Sequence, residues 1–332
     1  MKYPLISILV PVYGVEKFIE RCAVSLFEQT YPNIEYVFVD DCGKDNSIQI
    51  LKEVASRYSD RIGYVSIIRH EKNRGLAAAR NTAVAAAHGE FVIHVDSDDF
   101  LDLTAIERLY KKQVENDYDI VSCDFTVVGL NGESFIPTKD YQSNSDYVKA
   151  ILRVEENTNI VNRLIRLSIY RDHNIKLDEE SNVSEDFQTT PRVFYYAQKV
   201  AFLHEGLYKY SRENEGSLTY KFNVLLFNAD VECRELINFF KDKEPDYMEA
   251  INFGITNRLV KCLVFLSVFS GYDDLYNEVL LRLQSRDRSY LDQLSTKMRI
   301  AAKLSNKRRL LSIYIKTGLL LNKMKRKFVG MK

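Results

Sequence analysis

The first hundred residues repeat one hydropathy pattern. The apolar run at residues 5–12, closed by Pro11-Val12-Tyr13-Gly14, predicts a buried strand. Val15, Phe18, Ile19, Cys22, Ala23, Leu26 and Phe27 then recur at helical spacing, and the helix ends before Tyr31-Pro32-Asn33. Residues 34–39 read as a second strand, residues 46–58 as a helix and residues 63–68 as a third strand. The alanine-rich residues 75–87 predict a helix, and residues 91–95 a fourth strand. Strands alternating with helices argue for βαβ units, hence an α/β fold with a mainly parallel sheet and flanking helices. Beyond residue 100 the pattern loosens. Residues 102–115 look helical, 119–128 strand-like, Asn131-Gly132 marks a hairpin turn, and 141–172 look mostly helical. A helix is expected from Ser184 to about Ala197, a strand over 200–210, and helices from 222 onward. The expected organisation is therefore a catalytic-type α/β domain over 1–220 and a helical region over 221–332.

Composition changes this picture at one end only. With 46 Lys+Arg against 46 Asp+Glu the chain has no net charge, so no global field attracts nucleic acid. After Asp292, however, no acidic residue follows, while a dozen Lys and Arg do. In residues 308–328, Leu310, Ile313, Tyr314, Leu320, Leu321, Met324 and Phe328 recur at helical spacing among Arg308, Arg309, Lys316, Lys323, Lys325, Arg326 and Lys327. Two readings stay open: a helix lying on an anionic membrane surface, or one packing its apolar stripe on the catalytic domain with its basic face in solvent. The opening residues lack the pattern of a signal peptide, and no window of about 18 uninterrupted apolar residues predicts a membrane span. Five scattered cysteines without Cys-x-x-Cys favour a reducing compartment. The expected location is the cytoplasm, at the inner face of the cell membrane if the tail binds lipid.

Candidate chemistry sits where strands end. The fourth strand runs into Asp96-Ser97-Asp98-Asp99, and the second into Asp40-Asp41. In a parallel sheet both lie on the carboxyl edge, where open α/β folds bind ligands. Clustered carboxylates raise one another's pKa unless a cation sits among them, and hard oxygen donors suit Mg²⁺ or Mn²⁺. The plainer alternatives are a turn before Gly43 and a helix start, with Asp102 capping Leu103-Thr104-Ala105. No Gly-x-Gly-x-x-Gly follows the first strand, which excludes a dinucleotide fingerprint.

Taken together and in order, these stretches resemble family 2 inverting glycosyltransferases. The match runs through Ile8-Leu9-Val10-Pro11-Val12-Tyr13, Ser25-Leu26-Phe27-Glu28-Gln29-Thr30-Tyr31-Pro32 and residues 35–47. It continues with Asn73-Arg74-Gly75-Leu76-Ala77-Ala78-Ala79-Arg80-Asn81, Val95-Asp96-Ser97-Asp98-Asp99 and Ser184-Glu185-Asp186, then Tyr208-Lys209-Tyr210-Ser211-Arg212 with Ser217-Leu218-Thr219. The resemblance covers about residues 5–220 and implies a GT-A type, Rossmann-like domain for a nucleotide-diphosphate sugar, with a UDP-sugar favoured. It implies that Pro11, Val12 and Tyr13 line the base pocket and that Asp41 or Asp40 accepts the base's N–H. Asn73 and Arg74 join the nucleotide site, and Arg74 and Arg80 serve the diphosphate or pair structurally. Asp96, Ser97 and Glu185 contact the donor, Asp98 and Asp96 hold Mn²⁺ or Mg²⁺, and Asp186 is the general base. The implied reaction is inverting, metal-dependent hexosyl or N-acetylhexosaminyl transfer to a glycan or lipid-linked glycan acceptor in surface polysaccharide or lipopolysaccharide assembly. The alternative is an inactive nucleotide-sugar-binding module of the same fold. His204 is a further candidate ligand. The chain has no tryptophan, so it lacks the Gln-x-x-Arg-Trp signature of processive synthases, and single additions are expected. Cys42 replaces the more usual glycine or asparagine, and Arg212 falls one residue late after the tyrosine pair.

Overall fold

The apolar runs of the first hundred residues form the parallel half of one sheet. This is seen in a computed structural model that describes residues 3–129, 132–180, 185–214 and 233–329, with side chains described to residue 318. Strand β1 (Ile6–Val12) is buried along its whole length. Helix α1 (Ile19–Phe27) follows it, and strand β2 (Ile34–Asp40) pairs with β1 in parallel. Next come helix α2 (Ser47–Ala55), strand β3 (Val65–Arg69) parallel to β2, and helix α3 (Leu76–Ala86). Strand β4 (Phe91–His94) then pairs with the other side of β1. A strand covered on both faces must be apolar almost throughout, which is why β1, β2 and β4 show no alternation, while β3 at the sheet edge is half-exposed.

The second half adds β5 (Phe100–Leu101), α4 (Ala105–Val114), the hairpin strands β6 (Ile120–Gly129) and β7 (Gly132–Ile136), and α5 (Asn144–Leu152). It is completed by β8 (Arg163–Arg166), α6 (Leu167–Asp172), α7 (Glu185–Tyr196) and β9 (Val200–Ser211). The sheet order is β3-β2-β1-β4-β8-β6-β9-β5, with β7 on β6. Because β8 is antiparallel to both β4 and β6, β6 runs in the direction of β4, and β9 runs parallel to β6. Six of the nine described strands therefore share one direction, and the carboxyl ends of β1, β2, β4 and β9 open on one edge.

Strand β8 corrects the helical expectation for 141–172. Arg163-Leu164-Ile165-Arg166 is too short to show a period, and its flanks are helical. What selects it is the unpaired edges of β4 and β6, whose backbone groups it satisfies. The predicted hairpin turn includes Asn131, and the predicted boundary near 220 falls at Tyr220; both lie outside the described residues.

The chain divides into two compact units, residues 1–151 with 156–223 and residues 152–155 with 224–332. The second is helical, as expected: α8 (Arg234–Phe240), α9 (Pro245–Val268), α10 (Asp273–Gln284), α11 (Ser289–Gln293), α12 (Thr296–Leu304) and α13 (Arg308–Val329). By length and composition α9 could cross a membrane, but 67% of its most apolar stretch is buried, as in a core helix. The neighbouring α10, α11, α12 and α13 all pack on it.

Candidate active site

Two strand ends build the first wall. Val12 is paired with Asp40, and the Val12 carbonyl accepts the Asp41 backbone N–H at 3.0 Å. Pro11 and Val12 are buried, while the Tyr13 ring that follows is 55% exposed and free to face a ligand. Asp41 is turned inward. Its Oδ1 accepts the Arg74 N–H at 2.8 Å and lies 2.7 Å from His70 Nδ1, and its Oδ2 accepts the Gly75 N–H at 2.8 Å. Gly75 has φ +90°, a conformation that suits glycine and lets the chain enter α3 with both N–H groups aimed at one carboxylate. Asp40, also buried, accepts the Gly43 N–H at 3.0 Å, and its other oxygen lies 3.4 Å from the exposed Arg69 guanidinium. Asn73 Oδ1 accepts the Gly75 N–H, and the Arg74 guanidinium pairs with Glu179 at 2.9 Å, so both sit on the rim.

The acidic turn after β4 forms the second wall and divides its carboxylates the same way. Asp99 is buried: Oδ2 accepts the Tyr208 hydroxyl at 2.8 Å and Oδ1 the Ser211 N–H at 2.8 Å. The same hydroxyl accepts the Asp96 N–H at 3.1 Å, so the end of β9 is pinned to the turn. Ser97 is buried, and Asp98 Oδ2 accepts the Asn214 side chain at 2.8 Å. Burial, then the neighbouring Asp96 carboxylate, raises the Asp98 carboxyl above its ordinary range. Gln29 locks the next turn, donating to the Ser25 and Asp102 carbonyls and accepting the Ile106 N–H. Asp102 accepts both the N–H and hydroxyl of Thr104 in a turn that precedes α4, whose N-cap is Thr104 rather than the expected Asp102.

The third wall is the start of α7. Here Arg80, 1% exposed, joins motifs ninety residues apart: its Nη2 lies 2.9 Å from Asp96 and 3.8 Å from Asp186. Burial disfavours its charge, but Asp96, Asp186 and Glu185 outweigh that and hold the guanidinium protonated. Of the two roles open to Arg80, the geometry is that of the ion-pair partner. Burial raises the Asp186 carboxyl; Arg80 opposes and Asp96 reinforces that rise. Burial and the Asp186 charge push Glu185 up to about 8, so it is neutral over most of the physiological range. Arg80 Nε and Nη1 and Asp186 Oδ1 are buried without a hydrogen-bond partner, which calls for ordered water among them. Ser184, which precedes the pair, lies outside the described residues, as do Ser217, Leu218 and Thr219.

The donor set fits a hard divalent cation. Asp96 and Asp98 offer two carboxylates two residues apart, and burial beside Asp96 leaves Asp98 short of positive charge. Among the described residues no group of three or more His, Cys, Asp and Glu side chains is arranged as a metal site. Ions of this class need only one or two carboxylates with substrate phosphates. His204 is elsewhere, with its ring nitrogens 3.4 Å from Asp124 and 3.0 Å from Asp140, which corrects its candidacy as a third ligand. Three residues of the site carried no assigned role in the sequence. Tyr208 stood in a quoted stretch. Asn214 and Arg21 gave no signal, although Arg21 fixes the chain after β9 through Glu213 at 2.8 Å and Ser211 at 3.0 Å. Arg212, by contrast, is exposed.

A mainly parallel α/β sheet with an acidic carboxyl edge and a second acidic wall defines the class: a GT-A type fold. Its solved relatives include Staphylococcus aureus TarS (residues 1–349) in complex with UDP-GlcNAc. That structure matches with TM-score 0.72 at 20% identity, over 94% of this chain and 92% of that one. The family model described as Glycosyl transferase family 2 matches residues 7–175. EpsH of Bacillus subtilis is 30% identical over 289 residues, 84% of this chain and 82% of EpsH. The uncharacterized glycosyltransferase EpsJ of the same bacterium is 35% identical over 224 residues, 65% of this chain but 63% of EpsJ, just under two thirds of its length. The chain belongs to glycosyl transferase family 2.

Proposed function

We propose that this protein transfers a sugar, one residue at a time and with inversion, from a nucleotide-diphosphate donor to a hydroxyl of a glycan or lipid-linked glycan. The observation that carries the reading is the Arg80 bridge, which gathers Asp96 and Asp186 into one site. An inverting transfer needs two such groups, one gripping the departing diphosphate and one facing the incoming hydroxyl. The acceptor oxygen bonds to the anomeric carbon as the bond from that carbon to the diphosphate oxygen breaks, and Asp186 takes the hydroxyl proton. Burial raises its carboxyl above the ordinary range, the direction that strengthens a base, and the buried Arg80 beside it opposes that rise. A divalent ion, when bound by Asp98 and Asp96, supplies Lewis-acid stabilisation of the diphosphate. Tyr13 offers a ring to the base, and Asp40 is the favoured acceptor, because it accepts one backbone N–H beside an exposed Arg69 while Asp41 already has three close protein partners. Glu185, neutral, can donate a hydrogen bond to the sugar. TarS, a poly(ribitol-phosphate) beta-N-acetylglucosaminyltransferase, was solved with UDP-GlcNAc, which favours a UDP-sugar and a surface-polymer acceptor here.

The test pairs binding with turnover. A panel of UDP- and GDP-sugars is screened by thermal shift with and without Mn²⁺. A donor at a hundred times its dissociation constant adds about 2.7 kcal/mol of stability. Asp186→Asn should keep that stabilisation and lose release of nucleoside diphosphate by about a thousandfold. Full release by the variant overturns the base assignment. Stabilisation of the wild type without any turnover marks an inactive binding module, and no stabilisation by any donor overturns the nucleotide-sugar reading.

A further inference from the structure

Helix α13 carries two apolar stripes, and only one of them is used by the fold. Leu311 and Ile315, four residues apart, are buried in the helical unit, where α13 packs on α9 and α12. Leu310 and Ile313, three residues apart, are 47% and 61% exposed. At about 100° per residue the two stripes lie roughly 150° apart on the helix. The stripe readable in the sequence is therefore the outward one. The backbone stays helical to Val329. In the sequence, Tyr314, Leu320, Leu321, Met324 and Phe328 recur at the same helical spacing as Leu310 and Ile313.

Charge is arranged around this line. In the sequence Arg309, Lys316 and Lys323 stand seven residues apart, with Lys325 and Lys327 close behind. Arg309 and Lys316 are exposed. Arg308 is not part of this surface: it bonds to Asp273 and to the carbonyls of Leu266 and Phe269, which fixes the start of the helix on its own unit. The exposed Phe269 ring, at 47%, lies beside that anchor point.

We infer that the outward face of α13 is a contact for an anionic lipid surface. An exposed apolar line between basic flanks matches the interface of such a membrane: hydrocarbon takes the line, and acidic headgroups take the flanks. A second copy of the same face would bring like charges together, because no acidic residue follows Asp292 to compensate a dozen Lys and Arg. Nucleic acid would use the basic flanks and leave the apolar line in water. The inference goes beyond the transferase reading and does not depend on it.

The test is flotation of the full chain on vesicles of phosphatidylglycerol and phosphatidylcholine, against vesicles of phosphatidylcholine alone. The wild type should float with the first and not the second, and the bound fraction should fall at high salt. The double variant Leu310→Asp, Ile313→Asp alters exposed positions only. It should partition roughly tenfold less, with unchanged circular dichroism and unchanged release of nucleoside diphosphate from a soluble donor. Absence of flotation by the wild type, or equal flotation by the variant, overturns the inference. So does a lipid-free, concentration-dependent dimer that the same variant dissolves.

Discussion

The ends of β2 and β4 look alike in the sequence and divide their labour alike in the structure. Each presents neighbouring carboxylates to the ligand edge, and at each one of them is consumed by the fold. Asp41 is filled by the Arg74 and Gly75 N–H groups and His70, and Asp99 by Tyr208 and Ser211. The neighbours Asp40 and Asp98 have fewer protein donors and remain for a ligand. Acids at a strand end thus overcount ligands, since Asp41 and Asp99 accept hydrogen bonds from the segments that shape the site. The ends differ in charge balance. Asp40 has Arg69 nearby, whereas Asp98 is raised by burial and Asp96, so on the proposed function a bound cation would relieve repulsion at the β4 end.

The sharpest way to break this comparison is to neutralise one acid at a time at the β4 end. Asp98→Asn should cost about a hundredfold in Mn²⁺-dependent UDP affinity, read by calorimetry, with little change in melting temperature. Asp99→Asn should do the reverse, losing about 2 kcal/mol of stability while the Mn²⁺ dependence survives. Equal effects of the two would erase the distinction between ligand and brace. At the β2 end the same contrast is smaller in function and larger in stability. Asp41→Ala removes the acceptor of the Arg74 and Gly75 N–H groups and the partner of the buried His70, and should cost about 3 kcal/mol in a denaturant titration. Asp40→Ala should cost about 1 kcal/mol and weaken UDP binding about tenfold.

The smallest expected effect is a pH dependence confined to the third wall. Glu185 rises from an ordinary 4.5 to about 8 in the folded protein, mainly through burial. Between those values the folded state binds the extra proton, so stability falls as pH rises across that window. Glu185→Gln removes the penalty. The variant should match the wild type near pH 4 and exceed it above pH 8, measured as unfolding free energy against pH. Parallel curves would place Glu185 in a wetter setting than its burial indicates.

Much of the fold was legible because long apolar runs and helical periodicity are local properties. β1 to β4, their helices and the helical second unit all follow from them, as does the order of the acidic motifs. Strand β8 was not legible, because four residues carry no period and its partners lie forty to seventy residues away. Nor were Asn214 and Arg21, which are ordinary polar residues until β9 brings the chain after it to the acidic turn.

The sequence by itself determined which residues could carry chemistry: two acidic strand ends, a distant acidic helix start and a basic amphipathic tail. Tertiary structure alone decided what each does. It gave Asp41 and Asp99 several protein donors each, buried Arg80 between Asp96 and Asp186, and left Leu310 and Ile313 of the tail exposed. The physical reason is that a polar group's role depends on which partners satisfy it and how far it is from water. Those partners are set by strand order and helix packing, which bring together residues that no local pattern relates.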